Sequence, residues 1–156
     1  MSHMPEKLME MVELFRSIPD RPERIEALVS MADRYSCVPK TIAQRPFSEE
    51  HRVKHCESEA FVWAQERPDG TFDFYFAVEN PQGISAMATA VILGETLSGA
   101  PLEEVAAVPR DIVYEFFGRE LSMGKSMGLM GMVDLVRSYA LQGLAARAAG
   151  TGTTQS

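Results

Sequence analysis

Apolar residues return at three- and four-residue steps from Glu6 to Ile18 (Leu8, Met11, Val12, Leu14, Phe15, Ile18), while Glu10, Glu13, Arg16 and Ser17 fall mainly on the other side. That spacing predicts an amphipathic helix. Asp20, followed by Glu23, reads as the cap of a second helix, with Pro22 in the first turn where its missing N–H costs little. Ile25, Leu28, Val29 and Met31 supply its inner stripe, and it fades near Tyr35 because Pro39 disfavours helical backbone at Val38. The two form an N-terminal helical hairpin. From Ser36 to Glu50 the periodicity is lost and Pro39 and Pro46 intervene, the mark of a long connection of the sort that often carries function.

Ala60 to Ala64 is apolar and aromatic, and Thr71 to Val78 alternates Phe72, Phe74 and Phe76 with other residues; Pro68-Asp69-Gly70 between them is a turn signal. A β-hairpin with an aromatic inner face follows. Two strands alone are marginal, so a third is expected from His51 to Lys54. Ile84 to Leu97 is apolar on too many sides for a surface helix and reads as the buried central one. Gly99-Ala100-Pro101 closes it, Leu102–Ala106 and Ile112–Phe117 are short elements, and a long helix runs from Met123 to about Arg147. The expected fold class is α+β: an antiparallel sheet of about three strands packed against helices, in one domain over residues 4–148, with a disordered tail over 149–156.

Charge and composition narrow the function. A net charge of −7 argues against a general nucleic-acid binder, which needs clustered Lys and Arg to neutralise phosphates. No apolar run approaches the roughly 20 residues that span a bilayer, and the N-terminus lacks the apolar stretch of a signal peptide. No membrane partner is therefore expected, and a cytoplasmic location is. A reducing cytosol would oppose a disulfide between the two cysteines, Cys37 and Cys56.

His51-Arg52-Val53-Lys54-His55-Cys56-Glu57-Ser58-Glu59 gathers reactive and positive groups between a long loop and a strand. Arg52, Lys54 and His55 bring positive charge beside a thiol, which favours the nucleophilic thiolate; Glu57 and Glu59 oppose this. An inert thiol remains the plain alternative. Cys37, His51, His55 and Cys56 could also be combined into a zinc or iron–sulfur scaffold, although adjacent His55 and Cys56 rarely reach one ion and there is no C-x-x-C pair. A third reading is a peroxide-sensing thiol, with Cys37 resolving an oxidised Cys56. Gly124-Lys125-Ser126 lacks the glycine spacing of a P-loop, Met123, Met127, Met130 and Met132 read as core and flexible surface, and no serine sits in a nucleophile elbow.

Arg52 to Val62 resembles the SufE family stretch R-V-x-G-C-x-S-x-V-W, and Leu121-Ser122-Met123-Gly124-Lys125-Ser126-Met127-Gly128-Leu129 resembles its L-S-P-S-R-S-x-G-L segment. Pro5-Glu6-Lys7-Leu8, Pro22-Glu23-Arg24-Ile25, Asp69-Gly70 and Gly99 to Val105 extend the likeness across nearly the whole chain. The resemblance implies a SufE/NifU-like fold and a sulfur shuttle. A pyridoxal-phosphate-dependent cysteine desulfurase of the SufS kind would pass persulfide sulfur to Cys56, for delivery to a SufBCD-like scaffold that assembles iron–sulfur clusters. The chain would then be a carrier and activator, not an enzyme in its own right, and would need neither metal nor cofactor. Arg52, Lys54 and Lys125, with His55 and Glu57 beside the thiol, would support the sulfur or meet the partner. Departures from the family pattern are His55 for Gly, Glu57 for Gln, Lys125 for Arg, Glu120 for His, and Glu79 and Pro81 where Asp is frequent. His55 puts the tight loop geometry in question.

Overall fold

In the computed structural model, which describes residues 3–153, helices surround a single β-hairpin. Helix α1 spans Glu6–Arg16 and α2 spans Arg21–Ala32. The α2 cap is the one expected: the Asp20 carboxylate accepts from the Glu23 N–H at 3.2 Å. Both helices lay their buried stripes (Leu8, Val12, Phe15; Leu28, Met31, Ala32) on α3, Ile84–Leu97. Helix α3 is buried on nearly every side, and its buried hydroxyls are satisfied within it: Thr89 donates to the Ser85 carbonyl at 2.9 Å and Thr96 to that of Ile92 at 2.6 Å. Short helices α4 (Leu102–Ala106) and α5 (Val113–Phe117) lead into α6, Met123–Thr153.

Helix α6 outruns its expected end at Arg147, because Ala145, Ala146, Ala148 and Ala149 are strong helix formers around it. The tail expected to be disordered from 149 is thus helical as far as Thr153, and residues 154–156 lie outside the described residues. No helix among the described residues is long and apolar enough to cross a membrane.

Strands β1 (Ala60–Glu66) and β2 (Phe72–Val78) pair antiparallel in the register Ala60↔Val78 to Glu66↔Phe72. The third strand is not formed. It shrinks to one antiparallel bridge, Arg52↔Phe61, because a 3₁₀ turn at Glu49–His51 precedes it and a left-handed residue, His55, follows it. Loops and side chains satisfy the sheet edges instead, which a two-stranded sheet needs. On the β1 edge the Val53 N–H donates to the Ala60 carbonyl at 2.8 Å, and the Tyr139 hydroxyl donates to the Val62 carbonyl at 2.8 Å. On the β2 edge Val38 N–H reaches the Phe76 carbonyl at 2.8 Å, and the Val78 N–H donates to the Tyr35 hydroxyl at 2.7 Å.

The alternation of the hairpin sorts its side chains into two cores. Val62, Phe74 and Phe76 join the main core with α3 and α6. Phe61, Trp63 and Ala77 point the other way and form a small second core with Val38, covered by Ile42, Ala43 and Phe47 of the long connection. The Phe47 ring lies 5.2 Å from Phe61 and 4.9 Å from Trp63. Both faces of β1 are therefore buried, the physical reason for its unbroken apolar run.

Candidate functional site

Cys56 stands on a tight loop between the Arg52 bridge and β1. The Val53–Ala60 hydrogen bond closes its base, and the Glu59 N–H donates to the Cys56 carbonyl at 3.2 Å inside it. Such a turn demands left-handed backbone, which His55 (φ 61°) and Glu59 (φ 53°) adopt on either side of the cysteine. The loop is also tied to the start of α3: the Glu79 N–H donates to the Glu59 carbonyl at 3.1 Å and the Asn80 N–H to the Ser58 carbonyl at 3.1 Å.

Cys56 is half-buried and borders a recess of about 350 Å³. Two helices begin there. Helix α3 starts at Ile84 with no side-chain cap and no acidic residue in its first turn, and Ile84, Ser85 and Ala86 line the recess. The first turn of α6 contributes Gly124 and Lys125, with the Ser122 hydroxyl accepting from the Lys125 N–H at 3.2 Å. Free N–H groups at helix starts carry partial positive charge, so an anion in this recess meets two such starts, with Lys125 the one cationic residue of the lining. Glu57 is the one carboxylate among the lining residues.

The other expected cations lie across the loop. Arg52, Lys54 and His55 border a second recess, of about 450 Å³, which Cys56, Glu57 and Met127 also line. Arg52 is already engaged: its guanidinium bonds Glu49 at 2.8 and 3.1 Å, holding that carboxyl below the usual range, and lies 4.7 Å over the Phe61 ring. Lys54 and His55 are exposed. The thiol thus separates a recess containing Lys125 from one containing Arg52 and Lys54.

The combination of Cys37, His51, His55 and Cys56 as a metal scaffold does not survive. Cys37 packs with the small core on one face of the sheet, Cys56 with the main core on the other. The Cys37 sulfur lies 3.6 Å from Arg45 Nη2, in a different cavity that shares no lining residue with that of Cys56. His51 is held at the sheet edge, its Nδ1 2.8 Å from the Tyr139 hydroxyl and 3.0 Å from the Val62 carbonyl, with its ring stacked on Trp63 at 5.3 Å. Among the described residues no three His, Cys, Asp or Glu are grouped to hold a metal ion. Both cysteines are free, and this separation also leaves Cys37 poorly placed to resolve an oxidised Cys56.

Three relationships to known proteins bear on this site. The profile of SufE, described as Fe-S metabolism associated domain, matches residues 9–140. The chain belongs to the SufE family. It is 25% identical over 139 residues to SufE-like protein 1, chloroplastic/mitochondrial, of Arabidopsis thaliana. The match takes in 88% of this chain but 36% of that relative, so the chain spans about a third of the relative's length. Its fold is similar to the solution structure of a hypothetical protein from Thermus thermophilus, with a TM-score of 0.72 and 26% identity over 92% of this chain and 99% of the other. The SufE assignment associates the chain with iron–sulfur metabolism.

Within the SufE pattern, His55 takes the place of Gly and adopts the left-handed backbone that Gly enters freely, so the tight loop persists at some cost in strain. Glu79 pairs with Arg45 at 2.8 and 2.7 Å, and that guanidinium holds its carboxyl below the usual range. Two contributors escaped the sequence reading. One is the uncapped start of α3, whose approach to Cys56 is a tertiary fact. The other is the glycine series Gly124, Gly128, Gly131 along one side of α6, whose four- and three-residue spacing was legible as a place where another chain segment comes close.

Proposed function

We propose that this chain is a sulfur carrier: Cys56 accepts persulfide sulfur from a pyridoxal-phosphate-dependent cysteine desulfurase of the SufS kind and delivers it for iron–sulfur cluster assembly on a SufBCD-like scaffold. In the transfer, the Cys56 thiolate attacks the terminal sulfur of the donor persulfide. A new S–S bond forms on Cys56, the donor S–S bond breaks, and the donor cysteine leaves as a thiolate; the transferred sulfur carries its proton to Cys56. Sulfur and electrons balance without metal, oxidant or a cofactor on this chain.

The observation that carries this reading is the placement of Cys56, on a loop edge yet facing a recess where two helix starts and Lys125 await an anionic sulfur. A recess of this kind shields a persulfide from bulk reductants while the loop stays within reach of a docking protein. Lys125, Arg52 and Lys54 supply positive charge on the two sides of the loop, His55 sets its turn, and Glu57 adjoins the start of α6. The carrier also stimulates its desulfurase by removing the product sulfur, and works in the cytoplasm.

Intact-mass spectrometry after incubation with a cysteine desulfurase, pyridoxal phosphate and cysteine tests the proposal. One reductant-labile sulfur is expected on the parent and on Cys37→Ser, and none on Cys56→Ser. No gain on the folded parent, or a gain that survives in Cys56→Ser, would sink it.

A further inference from the structure

Helix α6 approaches the thiol loop so closely that a side chain at either of two positions would force its neighbours to shift. A Cβ placed on Gly128 would lie 3.1 Å from the Cys56 Cα, 3.2 Å from the His55 carbonyl oxygen and 3.4 Å from the Cys56 Cβ. One on Gly131 would lie 2.9 Å from the Lys54 carbonyl oxygen and 2.9 Å from Val53 Cγ1. Ordinary van der Waals contact between such atoms begins near ~3.5 Å. Gly124 on the same side has room, its nearest neighbour being Glu57 Oε2 at 3.7 Å. The obstacles at Gly128 and Gly131 are mainly backbone atoms and Cys56 itself, which cannot swing aside as a long side-chain tip does.

Glycine in a helix interior weakens the helix relative to alanine, so two of them at these positions require a packing or functional reason. Here the reason is steric, the close approach of the thiol loop to the helix backbone. The loop is tethered on its far side by Val53–Ala60 and Asn80–Ser58 hydrogen bonds. A methyl group on α6 would therefore have to displace the 53–56 segment against those tethers, and with it the Cys56 thiol at the edge of the recess.

We infer that Gly128 and Gly131 are positioning residues for Cys56: by admitting the loop to the backbone of α6 they set the depth at which the thiol stands. The inference deepens the carrier reading, because depth governs the balance between shielding and access, yet its test needs no desulfurase and can fail independently.

The experiment follows alkylation of both cysteines in one molecule by iodoacetamide, with peptide mass spectrometry, so that Cys37 serves as an internal reference. Gly128→Ala is the gentler variant, Gly131→Ala the stronger, and Gly150→Ala, on the same helix with nothing within 4 Å of an added Cβ, the control. Overpacking of this size is expected to raise the Cys56 rate about five-fold or more, while Cys37 stays unchanged. The control should match the parent at both thiols. Cys56 rates within two-fold of the parent, or slower, in folded Gly128→Ala and Gly131→Ala would overturn the inference. So would parallel increases at both cysteines, or loss of folding in both variants with Gly150→Ala intact, since each would assign the glycines to general stability.

Discussion

Removing one hydroxyl, by Tyr139→Phe, should expose how a two-stranded sheet survives beside the thiol loop. The Tyr139 hydroxyl donates to the Val62 carbonyl at 2.8 Å, and His51 Nδ1 lies 2.8 Å from that hydroxyl and 3.0 Å from the same carbonyl. With the phenolic proton committed to Val62, the imidazole must be the Nδ1–H tautomer, donating toward both oxygens. The substitution therefore deletes two contacts but leaves the Val62 carbonyl one partner, and the expected cost is about 1–1.5 kcal/mol. For a chain of this size each kcal/mol lowers Tm by roughly 2–4 °C. His51→Ala likewise leaves Tyr139 as the remaining partner, and also loses stacking on Trp63. The double variant orphans a buried carbonyl at the sheet edge, so its cost should exceed the sum of the single costs by about 1 kcal/mol. Urea and thermal unfolding followed by circular dichroism give all four corners of the cycle. A Tyr139→Phe protein as stable as the parent, or a cycle additive to within about 0.3 kcal/mol, would refute this account of the edge.

The same tyrosine carries an alkaline signature. Burial pushes Tyr139 from 10.0 to about 12, and burial does the same to Tyr35, likewise to about 12, against the opposing hydrogen bond from the Val78 N–H. In the unfolded chain these phenols lose their protons near pH 10, in the folded chain not until about 12; the stabilising difference is present below the first value and is lost as pH rises through the second. Denaturant midpoints of Tyr35→Phe and Tyr139→Phe should fall less steeply over that interval than the parent's, and equal slopes would contradict the burial argument. At the loop, His55→Gly relieves the left-handed strain but loosens the unfolded chain, so its stability should stay within about 1 kcal/mol of the parent, whereas β-branched His55→Val should lose about 1–2 kcal/mol more; a tolerant valine would show that the loop does not need this backbone. Lys125→Gln should slow modification of Cys56 by an anionic aromatic disulfide a few-fold, more at low salt, and slow neutral iodoacetamide by less. An unchanged rate with the anionic reagent would remove Lys125 from the charge environment of the thiol.

Much of the fold was legible locally. Asp20 and Pro22 mark the start of α2, the Phe72–Phe74–Phe76 alternation marks β2, and the apolar breadth of Ile84 to Leu97 marks the buried helix, because caps, two-residue alternation and helical periodicity are short-range physics. The ordered SufE-like stretches around Cys56 and Ser122–Gly128 pointed to the family. Register and edges were less accessible. The expected third strand is one bridge at Arg52, since His55 turns left-handed and Tyr139, more than eighty residues away, takes over the edge.

What the sequence by itself determined is the order of elements, written in local pattern, and the family to which the stretch around Cys56 points. Which charges attend that thiol was decided only by the tertiary structure. Lys54 and His55 are chain neighbours of Cys56 yet line the recess on one side of it, whereas Lys125 and the start of α3 reach the other from distant parts of the chain. The separation of Cys37 from Cys56 has the same origin: alternate sides of one β-hairpin feed two cores, and the thiols belong to different ones. Spacing along a chain constrains what neighbours can do, but the packing of helix α6 against a left-handed loop decides what the sulfur meets.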